Sequence, residues 1–160
     1  MPKQSAGLLM YRRRGGVIEI FLVHPGGPFY ASKDKGVWSI PKGEFSTGED
    51  PLTAALREFT EETGFEAEGP FDALKPVKQN SGKIVHAWAV EGDVDAGAIR
   101  SNTFLMEWPP GSGRQEDFPE VDRAGWFTAP EAKEEMLPAQ TPLLEELLHL
   151  LKRPEGQDRP

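Results

Sequence analysis

Glu58, Glu61 and Glu62 are separated by three and four positions, the intervals at which side chains become neighbours on a helix. The segment holding them, 50–63, predicts a helix. Asp50 suits an N-cap, Pro51 the first helical position, and Gly64 the residue just past the end. Winding it at about 100° per residue puts Leu52, Ala55, Leu56 and Phe59 on a core stripe and gathers the three glutamates on an adjoining face. Like charges at these spacings repel, and the helix dipole disfavours anions in the last turns. A divalent cation reverses both effects, because carboxylate oxygens are preferred ligands of Mg²⁺, Mn²⁺ and Ca²⁺. A solvated acidic face relieved by salt and by Arg57 is the other reading of the same residues.

The elements expected to position that helix read as a mixture of strands and helices. Ser5–Arg12 and Val17–His24 form apolar, β-branched runs about an Arg13-Arg14-Gly15-Gly16 turn, predicting an antiparallel hairpin. A Pro/Gly-rich stretch, 25–36, leads to a short strand at Val37–Ile40, and 42–49 reads as a loop. Three further strands, Phe71–Lys78, Lys83–Glu91 and Thr103–Trp108, are expected to join the sheet, followed by a long loop to about Glu120 and a last strand at Asp122–Phe127. Helices are expected to begin near Thr128 and to span Thr141–Lys152. No repeat or linker divides the chain, so one mixed α/β domain over 1–153 is expected, with 154–160 a disordered tail.

Composition narrows the function classes. The chain has 160 residues, no cysteine and a formal charge of −8. Thiol nucleophiles and thiolate metal sites are excluded, and a reducing cytoplasm fits best. Acidic excess argues against a surface for duplex nucleic acid, which needs clustered Lys and Arg. The apolar runs Ala6–Met10 and Val17–Val23, the latter broken by Glu19, are too short for a signal peptide or a membrane span.

The residues around the acidic helix carry a longer pattern. Gly43 is followed after five residues by Glu49, then after seven by Arg57-Glu58-Phe59-Thr60-Glu61-Glu62-Thr63-Gly64-Phe65. This resembles a complete Nudix box, with Phe at both apolar positions where aliphatics are commoner. A chance match at one starting point is on the order of 10⁻¹⁰ from average residue usage. The resemblance extends to the preceding hairpin, to Trp38-Ser39-Ile40-Pro41-Lys42, and to a late Trp126-Phe127 strand followed by helices.

The resemblance implies the Nudix α/β/α sandwich, a mixed sheet between helices, and Mg²⁺- or Mn²⁺-dependent, MutT-like hydrolysis of a nucleotide-type diphosphate. It implies that Glu58, Glu61 and Glu62 are metal ligands, with Glu49 a ligand or a partner of one and a backbone carbonyl near Lys42 or Gly43 completing the set. Arg57 is expected to orient a glutamate. Glu58 is the first choice for general base, with Glu116, Asp117 and Glu120 as candidates for a distant acid. Lys42, Lys83 and His86 are expected to meet substrate, and Trp38 or Trp88 either to stack on a base or to pack the core. Nucleoside triphosphates and dinucleoside polyphosphates head the candidate substrates, with ADP-ribose, sugar nucleotides, diphosphoinositol phosphates and a non-catalytic nucleotide sensor as alternatives. The tyrosine common beyond the box in diadenosine enzymes is missing, since that region reads Lys78-Gln79-Asn80-Ser81-Gly82-Lys83. The oligomeric state is left open.

Overall fold

The first strand is apolar without a break from Ala6 to Tyr11, and the reason is that both of its faces are covered there. A computed structural model describes residues 3–152, so the tail expected at 154–160 lies outside the described residues. Strand β1 (Gln4–Arg14) turns through Gly15 and Gly16, both at positive φ, into β2 (Val17–Pro25), the backbone that a tight right-twisted hairpin requires. Along β1, Ala6, Leu8 and Met10 point into one buried cluster, and Leu9 and Tyr11 into another on the opposite face, the two-residue alternation of a strand.

The first cluster is closed by helix α1 (Pro51–Thr63), which contributes Ala54, Ala55 and Phe59. The second is closed by α2 (Ala129–Glu135) and α3 (Thr141–Leu151), through Ala132, Leu143, Leu144 and Leu147. This is the mixed-sheet sandwich expected from the sequence. Helix α1 is capped as read: the Asp50 side chain accepts from the Thr53 N–H at 3.0 Å, and Gly64 ends the helix at φ 81°. Its buried face is rotated from the expected stripe, taking in Ala54 and Thr63 while Leu52 and Leu56 stay half-buried.

The sheet also contains β3 (Lys42–Glu44), β4 (Asp72–Ala73), β5 (Val77–Lys78), β6 (Ile84–Glu91) and β9 (Val121–Thr128). Its central order is β4-β6-β1-β2-β9, with β3 paired to β1 and β5 to β6. Only β1 and β6 run parallel among these pairs.

Four expectations are corrected. The strand expected at Val37–Ile40 is reduced to isolated bridges at Trp38 and Ser39, and the true strand falls at Lys42–Glu44, inside the expected loop. Phe71–Lys78 is split into β4 and β5, because Pro76 lacks an amide donor and interrupts the ladder. Thr103–Trp108 does not join the sheet: β7 (Thr103–Glu107) pairs with β8 (Gln115–Pro119) as a separate two-stranded ribbon. The loop expected up to Glu120 is therefore half strand. Its turn is held by Glu107, whose carboxylate accepts from the Gly111 and Gly113 N–H groups at 3.1 and 3.0 Å.

The 25–36 stretch is tied down from inside. His24 is fully buried, with Nδ1 2.8 Å from Asp122 Oδ1 and Nε2 2.6 Å from the Lys33 carbonyl oxygen. The Gly26 N–H donates to the Glu120 carbonyl at 2.9 Å, so this loop and the root of the ribbon are joined beside the cleft described next. No helix among the described residues is long and apolar enough to cross a membrane.

Candidate active site

Because α1 packs against β1 and β3 through Ala54, Ala55 and Phe59, its glutamates stand beside the short strand β3. A cleft of about 390 Å³ opens there, lined by Glu58 and Glu62 of α1, by Lys42, Gly43 and Glu44 of β3, and by Ser5, Lys83, Asn102 and Glu120. The approach is close at one point. A Cβ on Gly43 would overlap the Glu58 carboxylate, so any side chain there would push that carboxylate out of its present position.

The acidic residues divide into two groups. On the outer side of α1, Arg57 forms a two-pronged pair with Glu49, both contacts at 2.9 Å, and its Nη1 reaches Glu61 at 2.9 Å and Glu58 at 3.0 Å. These hydrogen bonds, Glu49's first, raise the Arg57 pKa further and hold Glu49 below the usual carboxylate range. On the cleft side, Glu58 is only 13% exposed, and Glu62 accepts from the Lys42 backbone N–H at 3.2 Å.

Burial makes the cleft carboxylates reluctant to ionise. The Glu58 pKa is pushed up to about 7, first by desolvation and then by the Glu61 charge, with Arg57 opposing. That of Glu62 is pushed up to about 8, again first by desolvation; Lys42 opposes this while the charges of Glu58 and Glu120 add to it. Lys42 is shifted down, chiefly by burial and then by the Lys83 cation.

Among the described residues no three acidic or histidine side chains already converge in ligating geometry; Arg57 engages Glu49, Glu58 and Glu61 instead. The donor chemistry nevertheless fits a hard divalent cation. Two desolvated carboxylates face one cleft beside a glycine cradle, where such an ion would supply the charge their burial lacks.

Of the other expected site residues, Lys42, Lys83 and Glu120 line the cleft. Glu116 and Asp117 lie exposed on β8, away from it. His86 is off the cleft wall, with Nε2 2.6 Å from Gln4 Oε1 and its ring against Phe45. Trp38 is a core residue: it is buried, its Nε1 donates to Asp34 at 2.8 Å, and its ring packs on Phe127 and His24. Ser5, Glu44 and Asn102 escaped the sequence reading. No local pattern marks them; pairing of β3 with β1 and the Glu120 N–H to Asn102 carbonyl bond bring them to the cleft.

Comparison with known proteins converges on one family. A family model, the NUDIX domain, matches residues 1–148. Asymmetrical bis(5'-nucleosyl)-tetraphosphatases are similar in sequence. That of Caenorhabditis elegans is 37% identical over 68 residues, covering 42% of this chain and 45% of the relative. That of Mus musculus is 34% identical over 103 residues, covering 57% of this chain and 66% of the relative. The matches thus span from about half to just under two thirds of the length of these curated relatives. Among solved structures, a C. elegans Ap4A hydrolase binary complex aligns with a TM-score of 0.65 at 22% identity, covering 92% of this chain and 97% of that one. The NUDIX domain of Shewanella oneidensis NrtR complexed with ADP ribose aligns with a TM-score of 0.67 at 14% identity, covering 95% and 90%. At these identities the two structures show a common fold.

Proposed function

Because the chain belongs to the NUDIX domain family, we propose that it is a divalent-metal-dependent hydrolase cleaving a diphosphate linkage in a nucleotide polyphosphate, with dinucleoside polyphosphates its preferred class. The observation that carries this reading is a single cleft in which half-buried carboxylates, Glu58 and Glu62, stand beside the cations Lys42 and Lys83. One set suits a metal ion and the other the substrate's phosphates. Similarity to asymmetrical bis(5'-nucleosyl)-tetraphosphatases supports the dinucleoside class.

Glu58 and Glu62 would hold Mg²⁺ or Mn²⁺ beside Gly43, joined by Glu61 and Glu49 as Arg57 releases them. A bound ion supplies neutralisation of charge on the phosphoryl oxygens and acidification of water. Lys42 and Lys83 bind the polyphosphate oxygens. Water attacks phosphorus, the bridging P–O bond breaks with its electron pair going to the departing phosphate, and the water's proton passes to a carboxylate. Glu58 is assigned that proton, and Glu120, across the same cleft, is the alternative acceptor. Arg57 sets the rotamers of the glutamates through its fork.

The test is phosphate release, after coupling phosphatase, across nucleoside triphosphates, dinucleoside polyphosphates, ADP-ribose and sugar nucleotides with and without Mg²⁺. Turnover should require the metal and favour a dinucleoside polyphosphate, and Glu58→Gln should lower kcat by about 10³-fold. If Glu58→Gln retains near-normal turnover while Glu120→Gln loses it, the base assignment is reversed. Metal-dependent nucleotide binding with no turnover of any compound would replace the hydrolase by a nucleotide sensor.

A further inference from the structure

The face of the sheet turned away from α1 carries polar side chains that stability does not explain. At its N-terminal end β1 lies between β3 and β6, and Ser5 stands opposite Glu44 in one and Val85 in the other. Opposed residues project from the same face, and steps of two residues keep to that face. Lys42 and Glu44 therefore share a face with Ser5, and Lys83, two residues before Val85, comes to the same place. The 3.1 Å contact between Lys83 Nζ and Glu44 Oε2 agrees with this. All four residues line the same cleft as Glu58, Glu62 and Glu120.

Ser5 is fully buried, and its Oγ is the one buried side-chain polar atom among the described residues with no hydrogen-bond partner in the protein. Another serine of the cleft, Ser39, behaves differently. Ser39 Oγ donates to the Ile40 carbonyl at 2.7 Å and accepts from Gln140 Nε2 at 3.0 Å. A buried hydroxyl without a partner is unfavourable, and alanine in its place would avoid the cost. A neutral donor has one property that another lysine would lack: it can bind an anion without disturbing the charge balance of the nearby glutamates.

We infer that Ser5 Oγ, together with Lys42 and Lys83, forms a subsite for a phosphoryl oxygen of the substrate's polyphosphate chain in this cleft. Ser5 donates the hydrogen bond, and Glu44 occupies Lys83 until the anion displaces it. This rests on the reading that the substrate is a polyphosphate, and it adds a positioning residue and an anionic placeholder to that reading.

Ser5→Ala, Lys83→Met and Glu44→Gln test it against the wild type. In Ser5→Ala, KM should rise about tenfold with kcat within about twofold, the mark of a lost uniform binding contact. The Ki of inorganic triphosphate should rise by a similar factor, while the melting temperature of the free protein is not lowered. Lys83→Met should weaken triphosphate, and the double variant should lose less than the product of the two single losses. Glu44→Gln, which frees Lys83, should bind triphosphate several-fold more tightly. Unchanged KM and Ki in Ser5→Ala would overturn the subsite, as would a lower melting temperature with KM unchanged, which assigns Ser5 to structure alone. If the wild type turns over none of the compounds, the hydrolase reading fails by itself. Calorimetry of inorganic triphosphate binding to wild type and Ser5→Ala then decides the subsite, equal affinities overturning it.

Discussion

The two sides of α1 carry the same residue type to opposite ends. On the rim, Glu49 and Glu61 share the guanidinium of Arg57, and their charges are met within the protein. On the cleft side, Glu58 and Glu62 lose water, and burial pushes both toward the neutral form against the opposing charges of Arg57 and Lys42. Spacing along the helix therefore does not decide what a glutamate does here. What decides it is how much water it loses: Arg57 reaches Glu58 and Lys42 opposes the shift of Glu62, yet burial outweighs both cations on the side that borders the cleft.

The sharpest way to break this contrast is to move the cleft side without touching a charge. Gly43→Ala places a methyl group into the Glu58 carboxylate and should lower kcat/KM by about 10²-fold. Gly48→Ala, whose added Cβ meets nothing within 4 Å, should stay within about twofold. Equal effects of the two substitutions would mean that close approach of β3 to Glu58 is unimportant. On the rim the effect should be smaller. Arg57→Lys keeps the charge but loses the two-pronged pair with Glu49, and a fall in kcat/KM of about tenfold is expected. A loss as large as that of Gly43→Ala would erase the distinction between the two sides.

The same contrast explains which parts of the molecule were legible from sequence. Helix α1 could be read because its signals are local: Asp50 caps it, Pro51 starts it, Gly64 ends it, and the carboxylate spacing lies within one element. Strand β3 could not, because Lys42-Gly43-Glu44 has no β-branched or alternating apolar pattern and is extended only by pairing with β1. Strand β8 reads as loop for a similar reason. Gln115, Glu116 and Asp117 are exposed and polar, and the Glu107 carboxylate that organises the turn acts across 108–114. The cleft inherits this division. Glu58 and Glu62 come from one helix, whereas Ser5 arrives through the pairing of β1 with β3, and Asn102 and Glu120 through their bond to each other, which no local pattern encodes. Of the three distant-acid candidates only Glu120 lines the cleft, while Glu116 and Asp117 are exposed on β8, a difference set by the ribbon and not by local sequence.

The smallest effect expected is on stability, and there the two sides should differ in sign. Glu58 and Glu62 have folded-state pKa values of about 7 and about 8, raised above the ordinary carboxylate value of 4.5. Their contribution to stability is fully present below about 4.5 and is lost as pH rises through 7 to 8, because the folded state holds protons that the unfolded state has released. Glu49 is shifted the other way by Arg57, so its contribution is present above the ordinary value and disappears as pH falls through its depressed one. Without metal, the melting temperature should therefore fall by about 5 °C between pH 5.5 and 8.5. Glu62→Gln should flatten that decline and raise the melting temperature at the alkaline end, whereas Glu49→Gln should leave the decline in place. Mg²⁺, which competes with protons for the same carboxylates, should stabilise the wild type more at pH 8.5 than at pH 5.5. Differential scanning fluorimetry of the three proteins across this range measures all of these outcomes. A flat metal-free profile, with Mg²⁺ stabilising Glu62→Gln as strongly as the wild type, would show that the cleft carboxylates are no less satisfied than those of the rim.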